Sequence, residues 1–334
     1  MPAYTYLSQP WTPADVHHCI GLVADTHMPK RLKSIPPALF AVLEGVDLVL
    51  HAGDVGELWV LDQLSRIAPV VAVHGNDETA AAQRELPYQQ LISLAGRRIL
   101  LWHSHFPDWQ DEVAARQSDE LLPKLQRSVA RGRAAGAQVV VFGHWHIPLV
   151  YHEDEMLVIN PGALASGNEI SHQLIQSVAL LFLLKNGTWE VAHVNLAAPD
   201  RLFVPPVQWA NGFRAALNQV STSILDPRLS AAVPYLRANL PPAEFELLSQ
   251  LVMELGRRCK AGEFPMVTAD LVALAVEQSD DLLPATRALA PSFVRSQVDG
   301  DGLDFPPGVE PGNDGEPGDG GAAPPVERPR QRDD

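Results

Sequence analysis

The apolar positions of this chain fall into two regimes. Up to about residue 196 they come as short, nearly unbroken runs at 18–24, 47–51, 69–74, 90–94, 98–102, 139–142, 149–152, 156–159, 178–184 and 189–194. Runs of this length, rich in Val, Ile and Leu and bounded by turn residues, predict strands buried on both faces. The first three alternate with helical spacing: a short helix opens at Pro36-Pro37, and Leu58, Leu61, Leu64 and Ile67 mark one over 57–67. That alternation predicts βαβ units. After residue 90 the pattern changes to hairpins, around Ala95-Gly96-Arg97, between 149–152 and 156–159, and across Asn186-Gly187. The polar stretch 111–135 predicts a helix leading back to the run at 139–142. From about residue 200 the strand pattern stops, and 213–225, 243–259 and 269–276 have helical periodicity, with Thr268 placed as an N-cap.

This order predicts a lead-in at 1–17, an α/β domain at 18–198, a helical segment at 199–298 and a disordered tail at 299–334. The tail is crowded with Gly and Pro and has ten acidic against three basic side chains, so it cannot bury enough surface to offset the entropy of ordering. It accounts for −7 of the formal charge of −15. The remaining body is acidic without a basic stripe, which argues against a dedicated nucleic-acid surface but leaves small phosphate-bearing substrates open. The longest apolar run, 178–184, is far short of the roughly 20 residues needed to span a bilayer, so no membrane is expected. Two cysteines, Cys19 and Cys259, make no disulfide framework, and no apolar stretch follows early basic residues as in a secretory signal. A cytoplasmic location is expected.

The residues at the ends of the runs change the picture. Asp25 and His27, Gly53-Asp54, Gly75-Asn76, His103, and Gly143-His144-Trp145-His146 each come directly after an apolar run. Side chains there project from the carboxyl ends of strands, where open α/β sheets bind ligands. One such histidine or Gly-Asp pair is ordinarily a structural residue or a turn. Five sets that all select metal-competent side chains are not what independent turns produce. Carboxylate, amide and imidazole suit manganese, iron, zinc and related divalent ions, and one carboxylate can bridge two cations about 3.5–4 Å apart.

In order, D-x-H at 25–27, G-D at 53–54, G-N at 75–76, His103 and G-H-x-H at 143–146 resemble the calcineurin-like metallophosphoesterases. Asn160-Pro161-Gly162 is similar to a turn of that family's small bacterial and archaeal phosphodiesterase branch. The resemblance covers about 18–195. It implies an α/β fold, a four-layer sandwich of two mixed β-sheets flanked by helices, here with a C-terminal helical extension. It also implies two divalent metal ions, manganese first, with iron, zinc, nickel or cobalt as alternatives. One ion would take Asp25, His27, Asp54 and His146, the other Asp54, Asn76, His103 and His144, with Asp54 bridging. Metal-bound hydroxide would then attack the phosphorus of a small phosphoester, most simply a phosphodiester.

The sequence departs from the family at one place. Many members read G-N-H-[DE], with a histidine thought to protonate the leaving oxygen or stabilise the transition state, whereas this chain has Asp77 and Glu78. His105 is the nearest candidate for that role. Without a strong acid, good leaving groups should be favoured over alkoxides. His51 reads as structural and His74 as ambiguous. Lys30, Arg31 and Lys33 read as a solvated loop in preference to a phosphate contact. Tryptophans 102, 109 and 145 fit packing and a substrate face equally well. Two other functions compete: a scaffold like the retromer subunit that resembles this branch, with a protein partner or second copy docked through the C-terminal helices, and a nuclease, disfavoured by the acidic body.

Overall fold

The computed structural model describes residues 1–279, apart from the side chain at 234, together with Thr286. The tail expected at 299–334, and most of the last stretch of the helical segment, lie outside the described residues. The strands are β1 Val16–Val23, β2 Leu48–His51, β3 Val70–Ala72, β4 Gln89–Leu94, β5 Arg97–Trp102, β6 Val139–Phe142, β7 Leu149–Glu153, β8 Met156–Asn160, β9 Ser171–Gln173, β10 Ser177–Leu184, β11 Trp189–Asn195 and β12 Ser221–Ser223. The helices are α1 Pro37–Val42, α2 Trp59–Leu64, α3 Ala80–Glu85, α4 Trp109–Gln117, α5 Leu121–Ala135, α6 Gly212–Val220, α7 Pro227–Asn239, α8 Pro242–Lys260 and α9 Ala269–Gln278.

Two five-stranded mixed sheets form, in the orders β11-β10-β1-β2-β3 and β4-β5-β6-β8-β7. In the first, β1, β2 and β3 are parallel, and β10 joins β1 antiparallel. In the second, β5, β6 and β8 are parallel and hairpins add β4 and β7. The strand period of two sorts side chains into layers. Ile20, Leu22 and Leu50 of the first sheet pack with Ile99, Leu101, Val139, Val141 and Ile159 of the second in one inter-sheet core. The alternate residues Cys19, Val23 and Val49 face Leu39 of α1, Leu43 just after it, and Val60 and Leu64 of α2. Leu100, Trp102, Val140 and Phe142 face Leu125 and Val129 of α5. Helices, sheet, sheet and helix make the four layers, and burial on both faces is why the central runs read as continuous rather than alternating, whereas the edge strands β4, β7 and β11 are partly exposed.

The structure corrects the sequence reading in two places that bear on the site. The helix expected over 111–135 is two, α4 and α5, broken at 118–120. The break has tertiary partners: the Asp119 carbonyl accepts the Phe213 amide at 2.8 Å, and its carboxylate accepts the Arg214 amide at 2.7 Å. The strand pattern also does not stop at 200. The helix expected over 213–225 ends at Val220, and Ser221–Ser223 continues as β12, paired antiparallel with β9. Helices α3 and α7 were not anticipated. The chain from Ile224 to Val276 builds a core of its own around Leu229, Leu236, Leu248, Leu255 and Val272. Thr268 caps α9, its hydroxyl accepting the Leu271 amide. Among the described residues, no helix is long and apolar enough to cross a membrane.

Candidate metal centre

The five loops that leave β1, β2, β3, β5 and β6 meet at one edge of the two sheets. Their backbone is strained there: Asp25, His27, Asp54, His144 and His146 all have left-handed φ, between 45° and 71°. Outside glycine such a conformation costs on the order of 1–3 kcal/mol per residue and persists only where the surroundings fix it. Bonds between loops supply the fixing. The Asp25 amide donates to the Gly53 carbonyl at 3.0 Å, the His27 amide to the Asp54 carbonyl at 2.9 Å, and the Ala165 amide to the Asp25 carbonyl at 3.0 Å. The motif glycines make room. A Cβ on Gly75 would lie 2.0 Å from Asp54 Oδ1, and one on Gly53 would lie 2.6 Å from His103 Nδ1.

Two groups of side chains result. Asp25, His27 and His146 each place one ligand atom within 4.8 Å of the others, and so do Asp54, His103 and His144. Three of the four histidines have one ring nitrogen committed to an oxygen acceptor. His103 Nδ1 donates to the Ala52 carbonyl at 2.7 Å, His146 Nδ1 to the Ala165 carbonyl at 2.9 Å, and His144 Nε2 to Glu112 Oε1 at 2.8 Å. In a neutral imidazole the other nitrogen then carries a lone pair. His103 Nε2 lies 3.1 Å from Asp54 Oδ2 and His146 Nε2 lies 3.4 Å from Asp25 Oδ1. His103 Nε2 is buried and, despite that distance, meets no partner along a hydrogen-bond direction. Buried lone pairs facing buried carboxylates are the surroundings a cation requires. The site favours positive charge: burial alone would depress His103, but the Asp54 and Asp25 carboxylates outweigh it and push the ring up to about 9, so a proton on Nε2 takes the place that a cation would otherwise fill. Burial likewise opposes the charge on Asp54, and His103, His27 and the Asp77 amide still hold it well below the usual carboxylate range. The donor set fits divalent metal ions.

The structure also places the other residues singled out from sequence. Asn76 is exposed and lines, with Asp54, the cavity that opens from this edge. His105 is buried behind His103, its ring among Tyr88, His74 and His103, and it is absent from the cavity wall. Desolvation and the neighbouring imidazoles push it down to about 3. His51 is buried 3.1 Å from the Thr26 hydroxyl, and His74 Nδ1 donates to the Gly75 carbonyl. Trp102 is in the core, whereas Trp109 and Trp145 line the cavity.

Two residues differ from the sequence reading or escaped it. Arg31, expected in a solvated loop, has a side chain only 10 % exposed. Its guanidinium lies 3.1 and 3.2 Å from the ring nitrogens of His27, pairs with Asp77, and faces Glu169 at 3.5 Å. Asp77, at the position of the family's histidine, is held down to about 2 by its hydrogen bond to His27 and the Arg31 and Lys30 cations, against its burial. Glu112 of α4 was not anticipated. Burial would raise it, but hydrogen bonds from His144, the Phe106 amide and Arg116 keep it well below the usual range. Its only local signal is Asp108, which caps the helix that carries it.

Residues 19–184 match the calcineurin-like phosphoesterase superfamily domain. The chain is 34 % identical over 144 residues to a probable metallophosphoesterase of Methanothermobacter thermautotrophicus, covering 43 % of this chain and 76 % of that protein. It is 27 % identical over 145 residues to phosphodiesterase YfcE of Escherichia coli K12, covering 40 % and 68 %. Among solved structures it is similar to Vps29 of Chaetomium thermophilum, with a TM-score of 0.38 and 18 % identity over 53 % of this chain and 94 % of that one. Site and kinship together define a hydrolase of phosphate esters from a family that uses divalent metals, with candidate ligand groups for them. More narrowly, the chain belongs to the calcineurin-like phosphoesterase superfamily.

Proposed function

We propose that the protein is a phosphodiesterase working with two divalent cations, manganese first among them, on a small phosphodiester. The observation that carries this reading is the position of Asp54. Its Oδ2 lies 3.1 Å from His103 Nε2 and 3.5 Å from His27 Nε2, so one carboxylate reaches both ligand groups. In this reading Asp25, His27, Asp54 and His146 hold one ion, and Asp54, Asn76, His103 and His144 hold the other, on a catalytic body at 18–198. Such a pair of ions supplies a nucleophile at neutral pH by acidifying coordinated water, and neutralises charge on the phosphoryl oxygens. The chain's own residues do the rest. Glu112 and the Ala52 and Ala165 carbonyls fix the tautomers of His144, His103 and His146. Arg31 presents a cation on the cavity wall beside Asp54 and Asn76, where it meets the phosphoryl oxygens.

No proton donor stands where the family's histidine would. Asp77 is ionised and committed to Arg31, and His105 is buried off the cavity wall. The reaction therefore depends on leaving groups that depart without a proton. Imidazoles and carboxylates buried face to face support the hydrolase over the docking reading at this edge. The test is Mn²⁺-dependent cleavage of bis(p-nitrophenyl) phosphate. Asp54→Asn should lower kcat/KM by about a thousandfold, about 4 kcal/mol of transition-state stabilisation. Bound manganese measured by mass spectrometry should fall with it. The reading fails if the wild type shows no metal-dependent cleavage, or if Asp54→Asn keeps its rate.

A further inference from the structure

The cavity that opens from the ligand edge is larger than a phosphate group needs. Its volume is about 690 Å³, within the range of sites that enclose a whole small organic ligand. Its wall combines the charged and polar Arg31, Asp54, Asn76 and Asp77 with an aromatic set, Phe106, Trp109, Trp145 and Phe213. Three helices contribute to the aromatic set. Trp109 opens α4, Phe213 lies in the first turn of α6, and Lys124 of α5 sits over the Phe213 ring at 5.1 Å. Trp145, the residue between the two motif histidines, is buried edge-on to both Phe142 and Phe213, with centroids at 4.8 and 5.5 Å. This holds Phe213 in place. Phe213 lies beyond residues 19–184, which match the superfamily domain, whereas Phe106, Trp109 and Trp145 lie within them.

Trp109 is the informative member. It is 68 % exposed, with Arg116 over its ring at 5.7 Å. A large aromatic left in solvent in the wall of a cavity that also contains candidate metal ligands has surface to give to a ligand. Indole and phenyl faces bind flat rings more tightly than area alone predicts, because the quadrupoles prefer offset or edge-on partners. The cations over Trp109 and Phe213 place positive charge beside these rings, which suits a ring joined to an anionic phosphorus.

We propose that this aromatic set is a subsite for one ester group of the substrate, and that the group is a flat aromatic or heteroaromatic ring. This rests on the phosphoesterase reading for the charged and polar part of the cavity wall. It can be tested by binding alone, using three phosphonates that carry the same anionic head and cannot be hydrolysed. Calorimetric titration of the manganese-loaded protein with methylphosphonate, cyclohexylmethylphosphonate and benzylphosphonate separates head, apolar bulk and flat ring. Benzylphosphonate should bind about tenfold or more tighter than methylphosphonate, with the cyclohexyl compound between them. Trp109→Ala should remove most of that advantage and leave methylphosphonate unchanged, and Trp109→Phe should restore part of it. Because Trp109 is exposed, its loss leaves the fold intact. Equal affinities of the wild type for benzyl and methyl compounds overturn the proposal. So does a cyclohexyl compound that binds as well as the benzyl one, or a Trp109→Ala variant weakened equally toward all three. Failure of the phosphoesterase reading shows elsewhere, as missing manganese-dependent cleavage, and these affinities do not depend on cleavage.

Discussion

The strand-end edge and the helical wall face the same cavity and are built in opposite ways. At the edge, five candidate ligands sit in left-handed backbone. Along α4, α5 and α6, among the described residues, no non-glycine side chain does. The edge must hold lone pairs at fixed positions in a buried, charged setting, and it accepts local strain to do so, held by bonds between neighbouring loops. The wall only has to present surface. It relies on ordinary helices, an aromatic cluster and the Asp119 joint between α5 and α6. The edge is therefore intolerant of change, and the wall should tune affinity without abolishing the reaction.

The sharpest way to break this contrast is through Arg31, the cation at the edge that is proposed to meet the phosphoryl oxygens. Arg31→Gln should lower kcat/KM by about a hundredfold, as loss of a preorganised charge at a developing oxyanion does. The loss should be similar for substrates with good and poor leaving groups, because Arg31 offers charge and not a proton. Added guanidinium ion should restore part of the rate. A loss that grows steeply with leaving-group pKa would make Arg31 part of a proton path and would overturn the assignment.

The same contrast explains what could be read from the chain before its structure. Asp25, His27, Asp54, Asn76, His103, His144 and His146 lie within a few residues of a strand end, so strand pattern alone brings them to one edge. The inter-sheet core was equally readable, since β6 is buried along its whole length. Arg31 and Glu112 were not, because their roles come from partners distant in sequence. Arg31 meets Asp77 and Glu169, and Glu112 meets His144. The break at 118–120 has the same cause. Helical periodicity runs through it, and only the Phe213 and Arg214 amides, nearly a hundred residues on, show why the chain turns there. Strand β12 is three residues of Ser and Thr whose pairing with β9 leaves no hydrophobic period to detect.

Glu112 is where the wall reaches the edge, and it sharpens the comparison at a middle magnitude. Its carboxylate accepts from His144 Nε2 at 2.8 Å and so leaves Nδ1 free to bind a cation. Outer partners of this kind are typically worth 10–100-fold in metal affinity. Glu112→Gln keeps an acceptor oxygen but loses the charge, so manganese affinity should fall about tenfold by titration, with kcat at saturating metal reduced far less. A variant that binds manganese as the wild type does would show that His144 is oriented by its loop alone.

The smallest effect is expected where the C-terminal helical unit touches the edge. Lys260, at the end of α8, donates to the Ser166 hydroxyl and to the Asn168 carbonyl, both at 2.8 Å. The loop it grips also carries the Ser166 carbonyl that accepts from Arg31 and the Glu169 that faces it. Lys260→Met removes two hydrogen bonds whose acceptors can turn to water, a loss of about 1 kcal/mol in urea unfolding. Arg31 keeps Asp77 after that change, so kcat/KM should fall less than about threefold, the small response expected of a partly solvated contact. A tenfold or larger fall, with stability lowered by no more than that amount, would mean that the helical unit positions Arg31 through this loop. The edge and the added helices would then be one functional body.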